Sequence, residues 1–495
     1  MTETATASKK PAVFTTGSTM RHVVVMTATS SVGLVSIFAV DALNLFYISL
    51  LGQQELAAAI GYAATIMFFS ISLCIGIAIA AAALVGRALG AGEDERAKRM
   101  ATASLVYLVL LSSLFAALLY PSLRWCLELL GARGETLEMA LDFMQIVVPS
   151  IPLLGMGMVL GALLRAKGDP KRAMFVTLSG GAAALVLDPI FIFGLDMGIM
   201  GAATATVCVR AILVIVGLHG VHKVHRMLGA PHVDEIRASV APFMTIALPA
   251  IATQLATPVG NAYVTSAIAE FGDDAVAGWA IVGRLLPVAF GVIFALSGAV
   301  GPILSQNLGA KLYDRVMATM RDALTFTLIY CLAVWALLAI ANPWIVGLFG
   351  ATGEAAELVR LFCLIVAGSF LFNGALFVAN AAFNNLGFPF YATIFNWGRA
   401  TLGVIPFVYF GKTWGSSGVM IGWGAGAVVF GIAAMVMAFR LIGTLPAREA
   451  ERSVDEDRPP LPPTANSAFT SGKGAIFGIN SNSGNSDSDR DRRDS

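Results

Sequence analysis

Twelve apolar runs, most of them twenty residues or longer, follow one another along this 495-residue chain. They lie near 22–50, 56–84, 100–120, 139–164, 173–194 and 199–218, then near 240–268, 274–303, 322–342, 358–384, 389–411 and 416–441. About 20 predominantly apolar residues cross the hydrocarbon core of a bilayer as one helix. Only 13% of the residues are charged, roughly half the share in soluble domains, and the mean hydropathy is +0.77. No water-soluble core hides that much apolar surface, so lipid is the solvent. The expected fold is all-α and integral to the membrane, with twelve transmembrane helices. Runs longer than the minimum imply tilt or extension beyond the bilayer.

The charges that exist set direction. Arg87, Arg96, Lys98, Arg99, Lys167, Lys171, Arg172, Lys223, Arg226, Arg237, Lys311, Arg315 and Arg321 fall on one side of the runs, together with Lys9, Lys10, Arg21, Arg440 and Arg448 near the termini. The other side carries mainly Arg124, Arg133, Arg360 and Lys412. Positive loops stay in the cytoplasm, so both termini are expected there. The polar first twenty residues lack a signal-peptide pattern, and the first run is expected to be a retained helix. From about residue 445 the chain is rich in Pro, Ser, Asn, Asp and Arg, a composition expected to be disordered.

The runs repeat. Leu89-Gly90-Ala91 aligns with Leu308-Gly309-Ala310, Lys167-Gly168-Asp169-Pro170 with Leu386-Gly387-Phe388-Pro389, and Asp188–Gly194 (DPIFIFG) with Ile405–Gly411 (IPFVYFG). One nearly constant offset through unrelated connections argues for duplication. Six spans per copy keep both copies in the same orientation, related by a pseudo-two-fold axis along the membrane normal. The expected divisions are a tail (1–21), a first lobe (22–220), a cytoplasmic linker (221–239), a second lobe (240–443) and a disordered tail (444–495).

Ionisable residues inside spans are functional candidates. The first copy offers Asp41, with Asn44 one turn on, then Asp188 beside the helix-breaking Pro189, and Arg210. A carboxylate beside freed carbonyls suits a proton or a small cation. The second copy has Asn261 and Ile405 at the places of the two acids, so it lacks both. Arg210 could pair with one of those acids, or be displaced when a proton or substrate arrives. The second copy instead offers Gln254, Asn261, Asn373, Asn380, Asn384, Asn385 and Asn396, together with Arg284, Arg399 and several aromatic residues. These could line a mixed polar cavity or bond helix to helix.

Other signals carry little. The five cysteines form no CxxC pair, so no disulfide framework or zinc site is expected. Gly411-Lys412-Thr413 lacks the glycine a P-loop needs, and Ser471-Gly472-Lys473-Gly474 lacks the pattern too. An ion gradient is therefore the expected energy source. His219, His222 and His225 read as an interfacial basic helix end. No enzyme activity, resident cofactor or nucleic acid is expected.

With Asp41 followed by Leu51-Gly52, Gly86–Ala97, Gly168-Asp169-Pro170, Leu187–Gly194 and Gly201-Ala202-Ala203, and Pro249, the chain resembles the multidrug and toxic compound extrusion (MATE) transporters over about residues 22–443. The resemblance implies two six-helix lobes opening alternately to each side. It implies export of organic cations or drugs in exchange for protons or sodium, with Asp41 and Asp188 as coupling acids and Thr204 or Thr206 beside them. Many bacterial members have an asparagine where Ala184 stands. That loss and the added Arg210 favour protons over sodium. Asn261, in place of an acid, makes the chain similar to the DNA-damage-inducible branch.

The function expected is secondary antiport of amphipathic, cationic compounds out of the cell by a monomer in a bacterial inner membrane. The alternatives are a flippase for a lipid-linked or anionic amphiphile, which Arg210, Arg284 and Arg399 keep open, and a receptor or scaffold without transport.

Overall fold

In lipid every backbone N–H and C=O must find its partner within the chain, and each apolar run does so as a helix. The computed structural model describes residues 11–49 and 54–456, without the side chains of 41–46, 48, 49, 54, 55, 57 and 451–456. Leu51-Gly52 and the tail beyond Glu456 lie outside the described residues. The backbone falls into two units, Met1–Leu445 and Pro446–Ser495.

A short turn, Val13–Thr15, precedes α1 (Thr19–Ser49), α2 (Gln54–Gly90) and α3 (Asp94–Leu129). The fourth pass is broken into α4 (Gly134–Val147) and α5 (Ile151–Lys167). Then come α6 (Pro170–Pro189) and α7 (Gly198–Leu218), each ending in a π-helical turn, and α8 (Val233–Ala269), α9 (Asp273–Gly309) and α10 (Tyr313–Leu348). The tenth pass is broken into α11 (Gly353–Leu364) and α12 (Phe370–Leu386). The eleventh is α13 (Pro389–Gly398) and α14 (Val404–Gly411) about a π-helical turn, and α15 (Gly415–Glu456) is last.

Eleven stretches of the described residues are long and apolar enough to cross a membrane, and the last, Pro389–Ala450, is 62 residues long. That is about 93 Å of helix, three times the hydrocarbon core. The chain turns back within it at Gly415, whose φ is +77°. A side chain on Gly418, Gly422 or Gly426 would strike the carbonyls of Gly411, Phe407 and Gly403 respectively, so α14 and α15 run antiparallel in close contact. The eleven stretches thus contain twelve passes, the all-α membrane fold expected from the sequence.

The repeated motifs are stop and start signals. Gly168 and Gly387 end α5 and α12 in the left-handed conformation, at φ +88° and +95°. Pro170 and Pro389 start the next helix, where a missing N–H costs nothing. The two copies differ where their sequences look most alike. The π-helical turn follows Pro189 in the first copy, at Ile190–Gly194, but precedes Pro406 in the second, at Arg399–Gly403.

Helix neighbours obey the two-fold. α1 packs on α6 and α9, and its counterpart α8 packs on α13 and α2, while α2 meets α9. The buried apolar residues form two cores, one per copy. The start of each copy's first helix sits in the other's core. Phe14, Val23 and Met26 join the second core, and Phe243, Ile246 and Ala247 join the first.

Candidate transport site

Close glycine contacts set the register of the helices around Asp188. A side chain on Gly33 would land on the Thr177 hydroxyl, and one on Gly181 on Ser36. Tyr47 and Phe193 meet edge to face, with centroids 6.2 Å apart. Between these pairs the parallel helices α1 and α6 bring the backbone of Asp188 level with residue 43. That position lies between Asp41 and Asn44, whose side chains are outside the described residues. Gly201 approaches the Phe191 carbonyl and Gly180 approaches Leu213, so antiparallel α7 places Thr204 level with Asp188.

Asp188 is 3% exposed and forms no ion pair with a described residue. Pro189 supplies no N–H to the Leu185 carbonyl, and the π-helical turn follows at once. The Thr204 hydroxyl donates to Met200 O at 2.8 Å and that of Thr206 to Ala202 O at 2.9 Å, which leaves both oxygens able to accept or coordinate. A buried carboxylate without a cationic partner is costly, and a proton or a small cation relieves that cost.

Arg210 does not pair with Asp188. Its level on α7 is that of Ala182, about six residues from the acid. Its Nη1 donates to Val147 O at 3.0 Å and to Ser150 Oγ at 2.7 Å. Both lie at the break in the fourth pass, where the Ile151 N–H turns to Val148 O and Val147 O takes side-chain donors instead, the Ser150 hydroxyl at 2.8 Å and Arg210. Arg210 and the Ser150 hydroxyl together satisfy a carbonyl that the Val-Pro-Ser-Ile-Pro sequence at 148–152 deprives of its backbone donor. In the second copy Trp335 Nε1 donates to Leu364 O, 3.0 Å away, beside the matching break.

The second-copy amides separate into two groups. Asn380 accepts from Asn396 at 2.9 Å, a buried bond between α12 and α13, and Asn373 is buried as well. Gln254, Thr257 and Asn261 instead continue the face of α8 on which Phe243 packs into the first core, and Thr257 and Asn261 are exposed. Arg284 is exposed on α9, two turns before Gly291, which lies against Phe38 of α1. Gln254, Asn261 and Arg284 thus face the first lobe. The aromatic residues are mostly core: Phe290 stacks on Phe370 at 4.2 Å, and Trp279 meets Trp423 edge to face at 5.2 Å.

Direct bonds between the lobes gather at the basic end of the helices. Gln306 Nε2 donates to Ala166 O at 2.7 Å, while its Oε1 accepts from the Phe14 N–H at 2.9 Å. Arg87 Nε donates to Asn385 O at 2.9 Å. Arg315 donates to the carbonyls of Phe14, Thr16 and Gly17, which ties residues 13–17 to the second lobe. In the sequence this region shows only a repeat motif and positive charge.

Residues 27–190 and 249–410 match the MatE family. The chain is 27% identical over 434 residues to a FAD transporter of Shewanella oneidensis, covering 86% of this chain and 96% of that protein. It is 24% identical to the multidrug export protein MepA of Staphylococcus haemolyticus over 74% of this chain and 81% of that one. A crystal structure of a mutant of the Vibrio cholerae MATE transporter VcmN superposes with a TM-score of 0.83 at 25% identity, covering 86% of this chain and 97% of that one. The chain belongs to the MatE family of integral-membrane efflux transporters, and its work is transport rather than enzymatic catalysis.

Proposed function

We propose that the protein is a secondary antiporter that expels amphipathic organic compounds and takes up protons, or sodium, through the first lobe. One observation carries the reading. Asp188 is buried without an ion-pair partner among the described residues, level with the Asp41–Asn44 turn and with Thr204. A charge that is costly to bury in one state and accessible in the other biases the equilibrium between two lobe arrangements, and a bound proton or cation reverses that bias. Ala184 offers no oxygen to that site, which favours a proton over a sodium ion that needs several ligands. Bonds between the lobes at the basic end support a state closed on that side.

The basic end is cytoplasmic in this reading, the membrane is a bacterial inner membrane, and both lobes lie in one chain, so a monomer suffices. Asn261 on α8, in place of an acid, supports a likeness to the DNA-damage-inducible branch, with the coupling acids in the first lobe only. Asp188→Asn and Asp41→Asn, purified and reconstituted with an imposed pH gradient, test the proposal. Loss of proton-driven efflux with retained folding is expected. Undiminished proton-coupled transport in both variants would overturn it.

A further inference from the structure

Arg399 is 7% exposed, and its Nε is buried with no hydrogen-bond partner. Its nearest partner is the Thr257 hydroxyl, to which Nη2 donates at a long 3.4 Å. No carboxylate among the described residues pairs with it. It stands ten residues, about 15 Å, from the start of α13 and twelve from the end of α14, too deep for the side chain to reach water at either end. It opens the π-helical turn Arg399–Gly403, a distortion often found at functional sites.

The first copy holds an arginine at the same depth. The repeat offset carries Ala182 to Arg399, and Arg210 is level with Ala182. Arg210 has structural work, bonding the broken fourth pass, whereas Trp335 does that work in the second copy and Arg399 does not. A second guanidinium shares the level. Trp279 Nε1 donates to Thr265 Oγ1 at 3.0 Å, which sets the α8–α9 register and places Arg284 opposite Gly260. Gly260 in turn packs on Ala400, and Thr257 lies less than one turn away. Arg284 is exposed on the face that looks toward the first lobe, again without an acidic partner among the described residues. Thr257 stands between the α8 face that touches α13 and the face that lines the gap between lobes, so Arg399 reaches the rim of that gap.

A buried arginine without an acidic partner among the described residues, level with a second guanidinium at the same gap, is costly unless a negative group completes it. We propose that Arg399, with Thr257 and assisted by Arg284, forms an anion subsite in the second lobe that takes the phosphate or carboxylate group of an amphipathic compound. The inference deepens the antiporter reading and rests on it for the cargo's passage. It gives the cargo an anionic group recognised by the second lobe, while the first lobe carries the coupling acids.

Equilibrium binding to the purified full chain tests it with two probes that share one ring system: riboflavin 5′-phosphate, which carries the anion, and riboflavin, which lacks it. The phosphate form is expected to bind about ten-fold tighter or more. Arg399→Gln is expected to abolish that preference, Arg399→Lys to keep part of it, and Arg284→Gln, at an exposed position, to weaken it. Nanodiscs with and without phosphatidylglycerol distinguish sources. Competition by the anionic lipid assigns the subsite to a headgroup, and lack of competition assigns it to a soluble anion; both support an anion subsite. Equal binding of the two probes, or a preference that survives in both Arg399→Gln and Arg284→Gln, overturns the inference. Asp188→Asn is expected to keep the preference, so a failure of proton coupling is read separately.

Discussion

Gly90 and Gly309 are mates under the pseudo-two-fold, and each occupies the only space left by the opposite lobe's backbone. A side chain on Gly90 would fall on the Gln306 carbonyl, and one on Gly309 on the Arg87 carbonyl. At the basic end the two lobes meet through this reciprocal fit. Gly90→Val and Gly309→Val should each destabilise the closed arrangement by about 1–3 kcal/mol, the usual cost of overpacking. Distances between spin labels at Arg96 and Asp314 should then shift toward a separated population. An unchanged distance distribution in both variants would show that the fit does not control closure.

Arg210→Met should lower stability by about 1–3 kcal/mol, since it removes charge-assisted hydrogen bonds to Val147 O and Ser150 Oγ at the broken pass. Thermal unfolding in detergent measures the loss. If Arg210→Met unfolds at the parent temperature and yet loses proton coupling, then Arg210 acts in transport rather than in holding the break.

Asp169 should make stability fall in acid. Burial pushes its carboxyl up, but hydrogen bonds from the Arg172 side chain and backbone and from His225 outweigh burial and hold it below the usual carboxylate range. A group with a lowered folded pKa contributes stability above its unfolded value, near 4, and loses it as pH falls through the folded value. The Asp169 carboxylate caps α6 through the Arg172 N–H at 3.1 Å and accepts from His225 Nε2 at 2.9 Å. Asp169→Ala should cost about 1 kcal/mol at neutral pH as a lost cap. It should also flatten the acid side of the stability profile, followed by unfolding temperature from pH 7 downward. An acid limb as steep as that of the parent would contradict the assignment.

Phe14→Ala should loosen residues 13–17 from the second lobe. Phe14 is 2% exposed in the second core, and truncation of a buried phenylalanine costs about 3–5 kcal/mol. Amide exchange at Phe14 and at Gly17 should rise well above that of the parent. Gln306→Ala, which removes both the Phe14 and the Ala166 bond, should have the same effect. Exchange unchanged in both would mean that the N-terminal turn does not help to hold the lobes together.

The helices were legible because lipid permits little else. Runs of twenty apolar residues, Gly168-Asp169-Pro170 and Gly387-Phe388-Pro389 have one reading each once the solvent is known. Asp188 was legible for a related reason, since an acid next to a proline has no ordinary place in a membrane helix. The partner of Arg210 was not, because it depends on a carbonyl 63 residues away that loses its backbone donor at a break whose exact place follows from packing. Nor was the interlobe contact at Gly90 and Gly309. Both glycines appeared in the repeat, but only their juxtaposition across the axis explains why each lacks a side chain. Arg399 was visible as a charge in a span. Its lack of an acidic partner among the described residues emerges only when its neighbours are in place.

The exchange of helix starts between the two cores bears on how such a chain could have arisen. Phe14, Val23 and Met26 complete the second core, and Phe243, Ile246 and Ala247 complete the first. Either half made alone would keep an unclaimed arm and a hole in its interior. An unduplicated ancestor with this plan could fill that hole only with the arm of a second copy, as in a domain-swapped dimer. Joining two copies in one chain would remove the need for a partner and free each half to change by itself, so that acids stand in one and Arg284 and Arg399 in the other.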